Sequence, residues 1–250
     1  MDQNDIRQVA VGRCSEWIGE GWTLFRQSPG TWIGLVVVWV LLLAVLGSVP
    51  LLGSLASNLL GPVFTAGVFL GCLRVERGEK LRIEDLFLAF KSDRLAPLII
   101  LGVLGIVVMV GVVLIALLFG FGSIATLAAG IDTEIEQMGA GVVIGGLVIL
   151  LMLLPVAMAL WFAAPLVMFA RVDPVESLKL SFVACWRNMW SLSLWGLLAL
   201  LIMIVAAIPV LLGWLIAGPV LMASYYWMYR DIFADAPLPA TDVAPQIGMP

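Results

Sequence analysis

The amino-acid sequence predicts an all-α membrane protein: a polytopic bundle of six transmembrane helices, arranged as three repeats of an amphipathic helix followed by a transmembrane hairpin. Three observations predict this fold class, namely an apolar composition, long stretches without charge, and basic residues confined to four segments. Of the 250 residues, 62% are hydrophobic and 12% are charged. Soluble domains are about 45–50% apolar and about 25% charged, so lipid is the expected solvent.

The uncharged stretches locate the predicted spans. No Asp, Glu, Lys or Arg occurs within residues 27–73, 95–131, 137–170 or 188–229, which are 47, 37, 34 and 42 residues long. Because a spanning helix needs about 20 residues, two stretches can hold hairpins and two can hold one helix each. The predicted helices cover about 31–49, 53–73, 95–119, 140–170, 190–208 and 213–229. The fourth is interrupted by Pro155 and Pro165, and its length of roughly 45 Å should make it tilt, kink or protrude.

Positive charge predicts the orientation of these spans. Residues 1–30, 74–94, 171–189 and 230–250 hold 3, 6, 3 and 1 Lys or Arg residues, which are all 13 in the chain. Basic loops stay in the cytoplasm, so we expect a multi-pass protein of the bacterial inner (cytoplasmic) membrane with both termini cytoplasmic. The predicted 120–139 loop on the opposite side carries Asp132, Glu134 and Glu136. The three Cys lie on or beside the cytoplasmic side, where no disulfide is expected.

The same reasoning predicts the domain organisation. Residues 1–30 form a cytoplasmic N-terminal segment with an amphipathic helix, residues 31–229 form the transmembrane domain, and residues 230–250 form a disordered cytoplasmic tail. The tail prediction rests on its four proline residues, Pro237, Pro239, Pro245 and Pro250.

Three amphipathic segments and three similar proline-containing tripeptides indicate the repeat. The tripeptides are Gly61-Pro62-Val63, Ala164-Pro165-Leu166 and Gly218-Pro219-Val220. Helical spacing predicts an apolar stripe on each amphipathic segment: Ile18, Trp22 and Phe25; Ile83, Leu86, Phe87 and Phe90; Val175, Leu178, Phe182 and Met189. Asp173 and Pro174 suit the cap and first position of the third helix, and Glu176 could complete a capping box. These helices either lie in the cytoplasmic interface with their aromatic residues in the acyl boundary, or cap the bundle without meeting lipid.

The sequence offers little for catalysis. It contains no His, its Cys are isolated, and no nucleophile or phosphate-binding motif is present. No ionisable residue falls within the six predicted spans, which disfavours a proton relay or an ion path. Lys179 beside Ser177 and Ser181 could form a Ser–Lys pair, but such residues usually form the polar face of a surface helix. We therefore expect no enzyme, no cofactor and no metal, and the acidic loop is interpreted as solvated.

Four residues are candidates for a cavity or for helix kinks: Asn58, Pro62, Pro165 and Pro219. Asn58 is the most polar side chain of the first predicted hairpin, and it either bonds to neighbouring backbone or contacts a ligand. The three prolines break backbone hydrogen bonding, and broken helices line binding sites in some transporters. They could converge on a central cavity, or they could simply allow close packing. The pairs Gly67/Gly71 and Gly141/Gly145 have the GxxxG spacing that lets helices approach closely.

Several motifs carry a resemblance to a known family. They are residues 21–26 (GWTLFR), 60–63 (LGPV), 84–87 (EDLF) and 173–182 (DPVESLKLSF). Over about residues 15–233 the chain resembles an uncharacterised family of bacterial six-helix inner-membrane proteins, known as a domain of unknown function. More distantly, it is similar to the membrane domain of some glycerophosphodiester phosphodiesterases. The resemblance implies an inner-membrane protein without an assigned activity, and it transfers no functional residue.

Two functions of different class remain open from sequence. The first is a non-enzymatic scaffold that interacts with membrane lipids and with partner membrane proteins or further copies of itself. The alternative is a permease or a transporter of lipids or small hydrophobic molecules that uses a cavity at the three proline kinks. Nucleic acid is not an expected partner, because the net charge is −4 and nucleic-acid binding needs a basic surplus.

Overall fold

The computed structural model describes residues 5–49, 52–128, 147, 150–208 and 212–234, and for residues 116–128 it describes the backbone alone. Every regular element in these ranges is helical. The helices are α1 (Arg13–Gln27), α2 (Pro29–Gly47), α3 (Leu52–Glu76), a 3₁₀ helix (Ile83–Lys91), α4 (Leu95–Ala128), α5 (150–161), α6 (Ala163–Met168), α7 (Pro174–Arg187), α8 (Met189–Ala207) and α9 (Trp214–Ile232).

Five helical segments in the described part of the chain are long and apolar enough to cross a membrane. They are Pro29–Gly47, Leu52–Glu76, Leu95–Ile115, Leu150–Met168 and Met189–Ala207. α9 is not among these five, because its last turns carry Tyr225, Tyr226, Tyr229 and Arg230 in place of aliphatic residues.

Two features of the helices differ from the sequence prediction. α4 continues to Ala128, so residues 120–128 are helical where a loop was predicted. This stretch, FGFGSIATLA at 119–128, has no proline and no charge to stop a helix. The fourth predicted span is broken at Phe162, three residues before Pro165, but stays helical through Pro155. Asp132, Glu134, Glu136, Gly141, Gly145 and residues 235–250 of the predicted tail lie outside the described residues.

Ion pairs bring the charged segments of the chain together at one end of the molecule. Arg13 pairs with Asp231 at 2.8 Å, Arg230 pairs with Glu76 at 2.8 Å, and Arg171 pairs with Asp93. We call this region the charged end. In the described part of the chain, α2, α4 and α8 begin near this end, and α3, α6 and α9 finish near it.

Burial is concentrated next to the charged end. In α2 the buried side chains are Trp32, Leu35 and Val36, and in α8 they are Ser191, Trp195 and Ala199, all in the first two or three turns. In α3 almost all buried residues follow Pro62. The halves of the long helices that lie away from the charged end, which we call the distal halves, instead expose large apolar side chains. Among the most exposed are Val40, Leu41, Val45, Val107, Val113, Leu114, Leu150, Leu151, Leu154, Leu200, Ile204 and Val205. Such a surface is stable in lipid and unfavourable in water.

Aromatic rings fill the core beside the charged end. The ring of Phe69 on α3 packs edge-on against Tyr225, Tyr226 and Tyr229 of α9, with centroid distances of 5.0, 5.6 and 5.8 Å. Phe169, directly after α6, packs on Phe69 from another side at 6.0 Å. Edge-to-face contacts of this kind add to the dispersion gained by burial, so this cluster joins the ends of α3, α6 and α9 into one core.

The amphipathic helix α1 packs along α9, and its contact face differs from the predicted stripe. The buried residues are Cys14, Trp17, Gly21, Leu24 and Phe25, whereas Trp22 is 43% exposed. Gly21 explains why α1 turns this face, and not the predicted stripe, toward α9. A Cβ atom at Gly21 would lie 2.5 Å from the carbonyl oxygen of Val220. The absence of a side chain lets the two backbones touch, and the face centred on Gly21 becomes the interface.

The second amphipathic segment is a 3₁₀ helix, and its predicted stripe is also only partly buried. Leu86 is buried, but Ile83 and Phe87 are 41% and 37% exposed. Its backbone contacts α3 at Gly67, where a Cβ atom would lie 2.2 Å from the carbonyl oxygen of Leu86. Close backbone contact of this type holds the segment against the end of α3.

Candidate functional site

The charged end is held by hydrogen bonds between segments that are far apart in the sequence. The Asp231 carboxylate accepts hydrogen bonds from Arg13 Nε and from Trp17 Nε1, both at 2.8 Å. Glu76 accepts from Arg230 and from the hydroxyl of Tyr226. These side chains are therefore occupied with joining α1, α3 and α9.

Among the charged residues that the structure describes, Asp85 is the most deeply buried, at 1% exposed. Its carboxylate accepts from Arg74 Nη1 at 2.6 Å and from the backbone N–H of Arg82 at 2.8 Å. Arg74 also donates to Glu79 at 2.9 Å. A buried carboxylate is tolerated when it is paired and hydrogen-bonded, and here the pairing fixes the start of the 3₁₀ helix to the end of α3.

The break before Pro165 is stabilised by two neighbouring helices. In an unbroken helix the N–H of Phe162 would bond to the carbonyl of Met158. Instead, the Ser181 hydroxyl accepts from Phe162 N at 2.9 Å and donates to Met158 O at 2.7 Å. Pro165 has no N–H for the carbonyl of Trp161, and the Tyr225 hydroxyl donates to that oxygen. The broken backbone bonds are thus replaced by side chains of α7 and α9.

The first turns of α7 fit the capping prediction in part. The Asp173 carboxylate accepts from the N–H of Val175 at 3.2 Å, with Pro174 at the first helical position, which confirms the predicted cap. Glu176 does not complete a capping box but pairs with Lys179 at 3.1 Å. Ser177 donates to the carbonyl of Pro174 at 2.7 Å.

Lys179 and the two serines of α7 lie on different faces of the helix. Lys179 is 64% exposed, whereas Ser177 and Ser181 are fully buried and hydrogen-bonded to backbone groups. In this arrangement both serines bond to backbone groups and stabilise the local structure. Beside them, burial raises the pKa of the Cys185 thiol to about 12, so this thiol is a poor nucleophile near neutral pH.

The apolar stripe of α7 points outward. Small and polar side chains, Ser177, Ser181, Ala184 and Cys185, face the protein with Leu180. Phe182 stacks on Trp186 at 6.2 Å on the outer side, and Val175, Trp186 and Trp190 are 51%, 61% and 77% exposed. We call Phe182, Trp186 and Trp190 the aromatic stripe.

The sequence prediction included Phe182 but missed Trp186 and Trp190. Phe182 and Trp186 are spaced i, i+4 and share one face of α7. Trp190 follows four residues later, beyond the turn at Asn188, in the first turn of α8. This signal was present in the sequence, but it crosses the boundary between the amphipathic helix and the predicted fifth span.

An apolar groove lies beside the stripe where the N-terminal segment meets α8. Asn188, between α7 and α8, accepts from the N–H of Val9 at 2.8 Å and donates to the carbonyl of Arg7 at 3.0 Å. Ser191 donates to the carbonyl of Val9 at 2.9 Å. The groove next to this attachment has a volume of about 390 Å³ and is lined by Val11, Trp190, Ser193, Leu194 and Leu197.

The four residues predicted from sequence lie in different surroundings. Asn58 is exposed, and its side-chain amide donates to the carbonyl of Ser54 in its own helix at 2.8 Å. Pro62 is half-buried within a continuous α3, Pro165 is buried in the break described above, and Pro219 is buried on α9. Their roles in a cavity or in ligand binding stay predictions.

The described cysteines and glycines agree with two further expectations. Cys14, Cys72 and Cys185 are free and buried. Gly67 and Gly71 do mediate close approach, but to Leu86 and Leu81 of the adjoining segment and not to another long helix.

Comparison with known proteins places the chain among bacterial membrane proteins. A protein of Burkholderia thailandensis, named as a probable inner membrane protein, is 30% identical over 189 residues, which are 73% of this chain and 70% of the relative. No family model matches the chain, and no solved structure is significantly similar to it.

Proposed function

The chain belongs to the family of this Burkholderia thailandensis inner membrane protein, and on that premise we propose that it is a six-helix inner-membrane scaffold. In this proposal it organises lipids or partner membrane proteins from the cytoplasmic side and catalyses no reaction. The observation that carries the proposal is the outward-facing aromatic stripe, which lies next to the ion-paired residues of the charged end.

The position of the charged end supports the proposal of six spans. α8 is membrane-capable and begins at the charged end, and Trp17 and Arg13 contact Asp231 at the end of α9. If α8 leaves this end and crosses the membrane, α9 has to cross back. The basic residues gathered at this end would then place it, with both termini, in the cytoplasm.

The threefold repeat is supported by two turns with the same geometry. A Cβ atom on Gly53 would lie 1.6 Å from the carbonyl oxygen of Leu46, and one on Gly213 would lie 2.4 Å from that of Ala206. In both hairpins the glycine therefore contacts the backbone of the residue seven positions earlier. The order of one short helix and two long segments also recurs three times, starting at α1, at the 3₁₀ helix and at α7.

Reporter fusions test the topology. Fusions at residues 50, 130 and 211 should report the periplasm, and fusions at 85, 180 and 240 should report the cytoplasm. A cytoplasmic signal at 211 together with a periplasmic signal at 240 would contradict the six-span arrangement.

Affinity isolation from membranes solubilised gently in lipid-preserving polymer tests the scaffold. Wild-type protein should enrich particular lipids or membrane proteins, and the double variant Phe182→Ser, Trp186→Ser should lose most of that enrichment. Trp22→Ser is a matched control, because Trp22 is an exposed tryptophan on the other α-helical amphipathic segment. Recovery of the bare wild-type protein, with nothing enriched over an unrelated membrane protein, would refute the proposal.

The permease alternative and the more distant phosphodiesterase resemblance stay expectations from sequence. Asn58, which this alternative would require to face the cavity at the three proline kinks, bonds to its own helix. Loss of uptake in an Asn58→Leu variant of normal abundance would revive the alternative.

A further inference from the structure

The groove beside Trp190 is a fixed feature of the fold. One wall is the start of α8, and the other is Val11 of the N-terminal segment. Backbone groups of that segment are held by the side chains of Asn188 and Ser191, which are each 2% exposed. Arg7 N also donates to the carbonyl of Ile232 at 3.0 Å, which ties the segment to α9. Hydrogen bonds to Asn188 and Ser191 on one side, and to Ile232 of α9 on the other, therefore set the position of Val11 opposite α8.

The lining of the groove selects an apolar occupant. Val11, Trp190, Leu194 and Leu197 present carbon atoms, and Ser193 supplies the one hydroxyl. Water in such a groove would find few of the two to four polar partners that make a site favourable for it. An aliphatic chain would gain dispersion and lose contact with water.

The position of the groove identifies the source of that chain. Trp190 and Leu197 lie in the first three turns of α8, about 10 Å apart along the helix. Beyond them the exposed surface of α8 continues with Leu200, Leu201, Ile204 and Val205. The groove thus opens onto the surface that lipid covers, just inside the charged end. This step rests on the proposed function, because it requires α8 to span the membrane from that end.

We propose that the groove binds one acyl chain of a phospholipid in the leaflet at the charged end. The indoles of Trp186 and Trp190 then lie at the headgroup level, where tryptophan is favoured in membrane proteins. The charges of α7 and its cap are balanced, since Asp173 and Glu176 offset Lys179 and Arg187, so a zwitterionic phospholipid is sufficient. Among the three amphipathic segments, α7 and its continuation into α8 form the lipid-binding element.

Photo-crosslinking in nanodiscs tests the site. The full-length protein is reconstituted in phosphatidylcholine that carries a diazirine on one acyl chain, and labelled residues are mapped by mass spectrometry. Val11 and the Ser193–Leu197 segment should be labelled several-fold more than exposed apolar residues such as Val107 and Leu114. Val11 is the most informative position, because it lines the groove but lies outside the membrane-length helices.

Two variants fill the groove from opposite walls. Ser193→Phe should reduce labelling of Val11 at least threefold, and Val11→Phe should reduce labelling of Ser193–Leu197 similarly, while labelling around Trp214 stays unchanged in both. Near-ultraviolet circular dichroism checks that each variant is folded, and either folded variant suffices for the test. Labelling of Val11 at background level, labelling that neither variant reduces, or crosslinks from this face to a second copy of the chain would overturn the proposal.

This test distinguishes failure of the proposed lipid site from failure of the proposed scaffold function. Crosslinking reports occupancy of the groove in either orientation of the protein, whereas fusions and affinity isolation report topology and scaffolding. A labelled groove with no enriched partner would retain the lipid site and remove the scaffold.

Discussion

At the scale of single residues, the buried polar side chains of this protein replace backbone bonds or join segments. The Ser181 hydroxyl bonds to both groups of the backbone hydrogen bond that is broken at Phe162. Asp85 neutralises Arg74 and binds a helix start. The sequence showed serines near a lysine and an acidic residue in a surface helix. It could not show these partners, because both contacts join residues whose proximity depends on packing.

Ser181→Ala tests the repaired break. The variant leaves Phe162 N–H without a partner and leaves Met158 C=O with only the weak Cys185 thiol donor at 3.5 Å, and a buried unsatisfied group costs about 1–3 kcal/mol. We expect a loss of about 2–4 kcal/mol in the free energy of unfolding, measured by SDS titration in mixed micelles. Ser177→Ala, which removes a buried hydroxyl bonded only within its own helix, should cost about 1 kcal/mol or less. Equal losses in the two variants would contradict the assigned role.

Asp85→Ala tests the buried ion pair. The variant leaves Arg74 with Glu79 as its remaining carboxylate partner and deprives the N–H of Arg82 of its acceptor. Since a hydrogen bond to a charged group contributes about 1.5–3 kcal/mol, we expect a loss of about 2–4 kcal/mol in the free energy of unfolding. The same micelle titration should show this loss. Glu79→Gln alters the other carboxylate bound to Arg74, whose side chain is 40% exposed, and it should change stability by no more than about 1 kcal/mol. A harmless Asp85→Ala would remove the structural importance of this pair.

Thiol reactivity tests the environment of Cys185. Its raised pKa means that the thiolate fraction is very small at pH 8, and the thiol is 4% exposed. Alkylation of Cys185 by N-ethylmaleimide, followed by mass spectrometry, should be slow in the folded protein and should become fast in SDS. Ser15→Cys provides an exposed thiol for comparison, since Ser15 is exposed on α1. Comparable rates at the two positions would contradict the burial of Cys185.

At the scale of elements, hydrophobic periodicity identified the helices but not always the face they bury. The sequence placed Ile18, Trp22 and Phe25 on one apolar stripe of α1, of which only Phe25 is buried, and the contact with α9 centres on Gly21. On α7 the large apolar residues face outward and the small ones face inward. In a lipid environment an apolar face gains little by turning inward, so tight packing of small residues decides the interface.

A pair of glycine variants tests this rule on α1. In Gly21→Ala the added Cβ would meet the backbone of Val220 and Ser224 at 2.5 and 2.7 Å, so α1 must move away from α9 at a cost of about 1–3 kcal/mol. In Gly19→Ala, two residues earlier, nothing lies within 4 Å. That change should stabilise by about 0.5–1 kcal/mol through helix propensity. Opposite signs in an unfolding titration are expected, and the same sign for both would contradict the close contact.

At the scale of the whole molecule, the protein consists of a packed charged end and apolar distal halves. Trp17, Trp32 and Phe69 are 0–1% exposed near the charged end, whereas Leu41, Val45 and Leu151 are 58–72% exposed in the distal halves. A protein in water would bury these residues. Their exposure agrees with membership in a family of inner membrane proteins. It identifies the distal halves as the part of the molecule that lipid stabilises.

Membrane fractionation tests this division. Because the exposed distal surface can be covered only by lipid or detergent, the protein should stay in the membrane pellet after washing with alkaline carbonate and enter solution with detergent. Immunoblotting of the full-length protein measures how it divides between the pellet and the supernatant. Release into the supernatant by carbonate alone would contradict an integral membrane protein.

The sequence by itself determined the helical class, the membrane environment and the clustering of positive charge, because these depend on composition and on stretch length. It also located α2, α3, α8 and α9 to within a few residues. Only the tertiary structure decided which faces pack, how the Pro165 break is satisfied and where Trp186 and Trp190 point. Those outcomes depend on contacts between residues that are far apart in the chain, such as Ser181 with Met158 and Gly21 with Val220, and local periodicity carries no information about such distant partners.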